Sequence, residues 1–342
     1  MSGEIKIMKF NSLESIFASF QNLRVLIIGD VMIDSYMWGK VERISPEAPV
    51  PILNIQKKEQ RLGGAANVAL NISALGATPI LCSVIGNDLD ADIFLQLLEE
   101  SKLSSECIFK VGNRTTTIKH RFMSGAHHLL RVDQEIDSEI DLENSQKLID
   151  CIKRQIPNCD VVVFEDYDKG VITPNLIQEV ITFANSQGKP TVVDPKKRNF
   201  LSYKNATLFK PNKKELKEGL KLDGSLSKIE EIERAVLKLQ DEIQAQSILI
   251  TLSENGIYLH NKNNGYHLPA HMREIADVSG AGDTVISVAA ICQALALPNR
   301  LIAALSNLAG GLVCEHAGVV PIDKDTLLQE SQNLGFAEYL NN

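Results

Sequence analysis

Short apolar, β-branched runs alternate with helical stretches along most of this chain, and that alternation restricts the fold more than any other feature. Arg24–Ile28, Ile80–Ile85, Val161–Glu165, Thr191–Asp194 and Ser247–Thr251 read as buried strands. Helices are expected over Asp90–Ser101, Leu142–Ile156, Thr173–Asn185 and Ser227–Ile243. Strand, helix, strand in succession, with strands apolar on both faces, predicts an α/β fold: a mainly parallel central sheet with helices on both sides. A short amphipathic helix around Leu13–Phe20 precedes this pattern. A hairpin near 257–268 and helices over 285–297, Arg300–Glu315 and Lys324–Leu334 follow it.

A chain of 342 residues, 44% of them hydrophobic, can bury such a core. The net charge of -8, with no dense Lys/Arg block, argues against a nucleic acid partner. Six cysteines at 82, 107, 151, 159, 292 and 314 show no Cys-x-x-Cys pair and no zinc-like histidine spacing, so they read as reduced thiols in packed positions. Met1–Asn22 has no signal-peptide apolar core, and no run approaches the ~18 apolar residues of a membrane span. A cytoplasmic protein with no membrane contact is the expectation.

Polar residues collect just after the expected strands: Gly29-Asp30 and Asp34, Glu165–Gly170, Asp194-Pro195-Lys196, Lys210–Glu215 and Ser253–Gly256. That edge is where open α/β sheets bind ligands, though Gly-Asp also serves as plain turn chemistry. Two proline-marked or alternating segments, near 41–61 and 115–132, read as a small β-sheet outside the main one, either a lid or a pair of surface hairpins. Gly63-Gly64-Ala65-Ala66-Asn67 opens a helix whose apolar stripe is Val68, Ile72 and Leu75 and whose stop is Gly76. Its glycines serve either backbone contact with a ligand or tight helix–sheet packing. Asn212 and Glu215 are either a capping pair or an amide and a carboxylate suited to hydrated Mg²⁺. Asp277-Val278-Ser279-Gly280-Ala281-Gly282-Asp283-Thr284 feeds an apolar helix; it is an anion cradle with a base in its first turn, or a capped core helix. No dinucleotide glycine fingerprint follows the first strand, and Gly219–Gly224 has Ser225 where a P-loop needs lysine.

Gly63–Asn67 near the front and Asp277–Thr284 near the back, in that order and at that separation, resemble the two signatures of the ribokinase-like (PfkB-type) sugar kinases. Within that family, Arg43–Pro51, Leu129–Asp133, Glu165–Gly170 and Asp194–Lys196 are similar to the D-glycero-β-D-manno-heptose-7-phosphate kinases, and the likeness runs from about Arg24 to Leu334. The expectation is a single kinase domain over 1–342 with no nucleotidyltransferase domain, either a stand-alone form or one whose second domain is missing. The resemblance implies ATP and Mg²⁺ as cofactors, with a sugar phosphate as acceptor. Asp283 is then the base that takes a proton from the anomeric hydroxyl, and the amides of Gly280, Ala281 and Gly282 hold the transferring oxygens. Asp34, Gly63, Gly64 and Asn67 are implied sugar contacts, with Asp30 a weaker carry-over. Arg131 and Lys169 are the cations for a 7-phosphate, their plain alternative being a solvated strand end and a loop charge. Asn212 and Glu215 correspond to the Mg²⁺ motif, Ser253 and Gly256 to the nucleotide loop, and Asn307 to the helix beside adenine. Asp277, with the Ser279 backbone, coincides with a monovalent cation (K⁺) site or serves as an N-terminal structural group. His127-His128 stand either toward sugar or in solvent. Exposed lid edges make a homodimer the expected assembly.

Overall fold

The computed structural model describes residues 10–125, 127–261 and 264–341; the first nine residues of the stretch inspected for a signal peptide lie outside the described residues. Helix α1 (Leu13–Ser19), started by a Ser12–Ser15 capping box, leads into strand β1 (Arg24–Gly29). Strands β2 (Val31–Ile44) and β3 (Pro51–Gly64), helix α2 (Ala65–Ala74), β4 (Thr78–Gly86), α3 (Leu89–Glu100) and β5 (Cys107–Val111) follow. Next come β6 (Ile118–Ser124), β7 (His127–Gln134), α4 (Leu142–Gln155), β8 (Val161–Glu165), α5 (Pro174–Ser186), β9 (Thr191–Asp194) and β10 (Leu208–Phe209). The remainder is α6 (Lys213–Gly219), α7 (Ile229–Ile243), β11 (Ser247–Thr251), β12 (Ile257–Asn261), β13 (Gly265–Leu268), α8 (Ala281–Ala294), α9 (Asn299–Val313) and α10 (Lys324–Asn333). Among the described residues no helix is long and apolar enough to cross a membrane.

Nine strands form one sheet in the order β13-β12-β11-β10-β9-β8-β1-β4-β5. It is parallel from β11 to β5; β12 and β13 run antiparallel at one margin. The solid apolar run of β1 follows from its place in the middle. Val25 and Ile27 pack into the core shared with α2, α8 and α9, while Leu26 and Ile28 pack into the opposite core with α4, α5 and α7. Burying each such side chain contributes about 1.5–3 kcal/mol, and neither face has use for a polar residue.

From β1 the chain steps to β4 and β5 on one side, then returns to lay β8, β9, β10 and β11 on the other. The strand order therefore reverses between β1 and β8, and a crevice opens beyond their carboxyl ends. The two strands meet closely there: a Cβ on Gly29 would lie 2.0 Å from the Glu165 carbonyl oxygen, so only glycine fits.

The second sheet, in the order β3-β2-β6-β7, is the small sheet that the sequence suggested. Its bounds differ from the expected 41–61 and 115–132. β2 begins at Val31, directly after Asp30, so Asp34 belongs to the lid itself. Val31–Tyr36 is buried without interruption, which removes the period-two alternation by which a half-exposed strand is recognised. The proline-rich stretch after Ile44 is the connection between β2 and β3, closed by the Ser45 amide on the Val50 carbonyl at 2.9 Å. β5 and β10 were not anticipated as elements, and α6 was so only as the helix that a capping pair at Asn212 and Glu215 would start. β10 has only two residues, too few to carry a periodicity.

Candidate active site

Helix α8 starts at Ala281 because Gly280 takes a left-handed conformation (φ 80°), which turns the chain out of the Asp277 loop. Asp283 then falls in the first turn, where unpaired amides and the helix dipole favour a negative charge. Its carboxylate is buried, and both oxygens are held. Asn67 Nδ2 donates to Oδ2 at 2.6 Å, and the Tyr167 hydroxyl donates to Oδ1 at 2.7 Å. Burial pushes the Asp283 carboxyl up to about 6, against the lowering effect of those two donors; nearby Asp194 raises it further and Lys210 lowers it. Of the three amides expected to cradle an anion, that of Ala281 turns back on the Val278 carbonyl at 3.3 Å, while Gly282 is exposed at the mouth of the site.

Asn67 stands in the first turn of α2, whose entry depends on Gly64 (φ 60°): a Cβ there would lie 2.4 Å from the Asp30 carbonyl oxygen. A turn later, Asn71 Oδ1 accepts from the Thr284 hydroxyl at 3.0 Å and from the Ile322 amide at 3.0 Å, a second tie between the starts of α2 and α8. The two sequence signatures are thus one hydrogen-bonded unit. Gly63 has a related task, since a Cβ there would lie 2.4 Å from Asp34 Oδ2. Asp34 is buried and ion-paired with Arg121 of β6; Tyr36 lies between Arg121 and Arg61, 5.1 and 5.3 Å from its ring centroid.

Asp30 has the structural role rather than that of a free ligand group. Its carboxylate accepts the amides of Tyr167 (2.8 Å), Lys169 (3.1 Å) and Val171 (3.1 Å), which shapes the loop after β8 and brings Tyr167 to Asp283. The two cations expected to receive a phosphate are both committed to carboxylates. Arg131, half exposed, makes a bidentate pair with Asp133 at 2.8 Å, and Lys169 Nζ lies 2.7 Å from Glu135 Oε1. Lys119 bridges Asp133 and Glu135, so these side chains form a charge ladder from the lid to the β8 loop. His127 and His128 are exposed.

Asn212 and Glu215 form a reciprocal cap on α6: the Glu215 amide donates to Asn212 Oδ1 at 2.9 Å, and the Asn212 amide to Glu215 Oε2 at 2.8 Å. Glu215 Oε1 takes Lys196 Nζ at 2.6 Å. Close by, Lys210 pairs with Asp194 at 2.7 Å in a buried contact. Burial disfavours the Lys210 cation, but Asp194, Glu215 and Glu165 outweigh it and hold its pKa above the ordinary lysine value. Asp194 Oδ1 and both oxygens of fully buried Glu165 have no hydrogen-bond partner among the described residues. Burial, then Asp194 and Asp283, push the Glu165 carboxyl well up. Unpaired buried acceptors next to Lys196 and Lys210 suit a hydrated divalent cation beside a polyphosphate: acceptors for bound waters and cations for phosphate oxygens.

Ser253 (φ 54°) and Gly256 (φ 85°) build the turn between β11 and β12; a Cβ on Gly256 would meet the Leu268 carbonyl oxygen at 2.1 Å. Asn307 Nδ2 on α9 donates to the Pro269 carbonyl at 2.8 Å. Asp277 accepts the amides of Ser279 at 2.9 Å and Gly318 at 3.0 Å; burial opposes its charge, but these amides win and hold its carboxyl below the usual value. It therefore fastens the α8 approach to the loop before α10. Tyr167, Lys196, Lys210, Asp194 and Glu165 were visible as polar residues after strands but had no assigned role. Arg61 and Arg121 gave no sequence signal, because only the β2–β6 and β2–β3 registers bring them to Asp34 and Tyr36. A cavity of about 550 Å³, lined by Asn205, Gln240 and Gln246, lies at the opposite end of the strands.

With ¹³C-labelled aspartate, the Asp283 carboxyl is expected to titrate near pH 6. In Tyr167→Phe the ionised form loses a donor, so the midpoint moves to higher pH; a midpoint unmoved or lowered contradicts the hydrogen bond's effect on the charge.

Residues 22–326 match the family model described as pfkB family carbohydrate kinase. The chain is 38% identical over 317 residues to the bifunctional protein HldE of Desulfatibacillum aliphaticivorans, covering 92% of this chain and 64% of that protein. It is 42% identical over 304 residues to the HldE of Caulobacter vibrioides, covering 88% and 62%. The chain thus spans somewhat under two thirds of the length of these curated relatives. Among solved structures, Escherichia coli phosphofructokinase-2 in complex with potassium superposes with a TM-score of 0.73 at 17% identity, covering 94% of this chain and 100% of that one. Arabidopsis thaliana ribokinase complexed with ribose and ATP gives 0.70 at 14% identity, covering 90% and 99%. The fold is accordingly ribokinase-like, and the chain belongs to the pfkB family of carbohydrate kinases.

Proposed function

We propose that this chain transfers the γ-phosphoryl group of ATP to O1 of D-glycero-β-D-manno-heptose 7-phosphate, giving the 1,7-bisphosphate for ADP-L-glycero-β-D-manno-heptose and the lipopolysaccharide core. One observation supports the chemistry above the rest: a buried carboxylate, Asp283, raised to about 6 and oriented by Asn67 and Tyr167 at a helix start. The choice of sugar rests on the heptose-kinase-like motifs and on the identity with HldE proteins.

At neutral pH most of Asp283 is ionised and free to accept a proton. An anomeric hydroxyl is more acidic than an ordinary alcohol, so a carboxylate within hydrogen-bond reach suffices as base. Positioning and charge stabilisation do the remainder, as is general for phosphoryl transfer. The exposed start of α8 at Gly280–Gly282 faces the transferring oxygens, and Lys210 and Lys196 supply positive charge. Asp34 accepts from sugar hydroxyls, with Gly63, Gly64 and Asn67 forming the wall beside it. Arg121, held next to Asp34, joins Arg131 and Lys169 as a cation for the 7-phosphate. Mg²⁺, when bound, neutralises charge on the β- and γ-phosphates, and Glu215 and Asn212, with Asp194 and Glu165, are the residues that would hold its water shell. Ser253, Gly256 and Asn307 border the nucleotide, and Asp277 with K⁺ remains a proposal of the same kind. The chain serves as a single kinase domain, working in the cytoplasm.

β3 and β7 are the margins of the lid sheet, and Ile55, Leu129, Leu130 and Val132 on them are exposed. A homodimer pairing lid on lid covers these side chains and edges.

In an ADP-release assay, heptose 7-phosphate is expected to give a higher kcat/KM than fructose 6-phosphate or ribose; fructose 6-phosphate in the lead would move the assignment to the phosphofructokinase reaction. Asp283→Asn is expected to lower kcat by about 10²–10⁴-fold. Arg121→Ala should raise the sugar-phosphate KM about tenfold while that for ATP stays nearly constant, the mark of a lost charge-assisted contact. Sedimentation at micromolar concentration should show a dimer, and a monodisperse monomer rules out the lid-paired assembly.

A further inference from the structure

Three of the six cysteines converge between the main sheet and α4. Cys82 of β4 and Cys107 of β5 are register partners on adjacent parallel strands, and Cys151 reaches them from α4. All three are buried, and their Sγ atoms lie within 4.8 Å of one another. Those of Cys107 and Cys151 are 2.8 Å apart, inside the ~3.5–4.0 Å of ordinary heavy-atom contact. Among the described residues the group offers three sulfur ligands and no fourth, which does not meet the four-coordinate demand of a structural zinc site.

The placement of the pair in the chain gives it a mechanical meaning. Cys107 and Cys151 are 44 residues apart, and the segment between them holds both β6 and β7, half of the lid sheet with Arg121 and Arg131 on it. Cys107 lies on the strand that leads into this hairpin, and Cys151 on the helix that follows it. β5 is also the margin of the nine-stranded sheet, with a neighbour on one side alone, so opening of this edge uncovers the sulfurs to a small oxidant.

We propose that Cys107 and Cys151 are an oxidisable pair whose disulfide, formed by a hydroperoxide, ties together the two roots of the β6–β7 hairpin, with Cys82 as the third thiol beside it. Cys151 is the sulfur that reacts first. Hydrogen bonding from Cys82, then from Cys107, with Arg154 nearby, holds its thiol down at about 6 against the effect of burial. A thiolate, not a thiol, is the nucleophile. Cys151 sulfur attacks the peroxide: an S–O bond forms, the O–O bond breaks, and the departing oxygen takes a proton to leave as water or an alcohol. Cys107 sulfur then attacks the sulfenic sulfur. The S–S bond forms, the S–O bond breaks, and the hydroxide released combines with the Cys107 proton as water. Two thiols are oxidised by two electrons in total, and one hydroperoxide is reduced.

The test uses the full reduced chain exposed to hydrogen peroxide, followed by thiol counting, peptide mapping by mass spectrometry, and thermal melting. The expected result is loss of two of the six thiols, a Cys107–Cys151 cross-linked peptide that disappears on reduction with dithiothreitol, and a higher Tm for the oxidised than for the reduced chain. Cys82→Ala should retain the cross-link, and Cys151→Ala should lose the Tm gain. Retention of all six thiols, a cross-link between other cysteines, or an oxidised chain that melts no higher than the reduced one overturns the proposal. The wild-type measurements decide this without relying on any variant to fold.

Discussion

Two short hydrogen bonds to one buried carboxylate organise this molecule. An isolated carboxylate in a protein interior carries a penalty of several kcal/mol, and Asp283 is tolerated because Asn67 and Tyr167 each give it a donor. Those donors come from places far apart in the chain, the first turn of α2 and the loop after β8. The chain must therefore fold around the crevice between β1 and β8 before the carboxylate is satisfied. Asp30 shapes one arm by gathering three amides of the β8 loop, and Gly64 shapes the other by turning the chain into α2. The same contacts orient the carboxylate and favour its charge, while burial outweighs them and pushes its carboxyl up to about 6.

Around that carboxylate the charges are arranged so that carboxylates and lysines offset one another. Lys210 answers Asp194, and Lys196 answers Glu215. Glu165 has no hydrogen-bond partner on either oxygen among the described residues and is pushed well above the ordinary carboxylate range by burial. The cations Lys196 and Lys210 stand beside this carboxyl, so positive charge is already in place at this edge of the sheet. On the lid side the pattern differs. Arg121, Arg131, Lys119 and Lys169 are all engaged by carboxylates of the lid or its base. Under the proposed function, an acceptor's phosphate would compete with Asp34, Asp133 and Glu135 for them.

The layout of the main sheet was legible because its strands are apolar on both faces and end in polar clusters; β1 and its partner β8 show this most clearly. Asp283 and Asn67 were legible as separate members of two motifs, but nothing in the spacing revealed that they touch. That contact depends on how α2 and α8 pack between residues 216 positions apart in the chain. Asp30 and Asp277 were seen as carboxylates with a ligand role or a structural one, and both accept backbone amides, because a local amide turn offers no sequence mark different from a ligand site. The start of the lid was misplaced for a physical reason: the root of β2 is buried, so it lacks the alternation of an exposed strand. Arg121 could not be found at all, since it reaches Asp34 by strand register alone.

The dependence of the base on its hydrogen-bond partner is tested most directly by a double-mutant cycle on kcat with Asn67→Ala and Asp283→Ala. If Asn67 acts by holding Asp283, its removal slows the wild-type enzyme but changes little once Asp283 is gone, leaving the double variant about as active as Asp283→Ala alone. Losses that simply add on a logarithmic scale would show that the two residues act independently, and would contradict the mechanism.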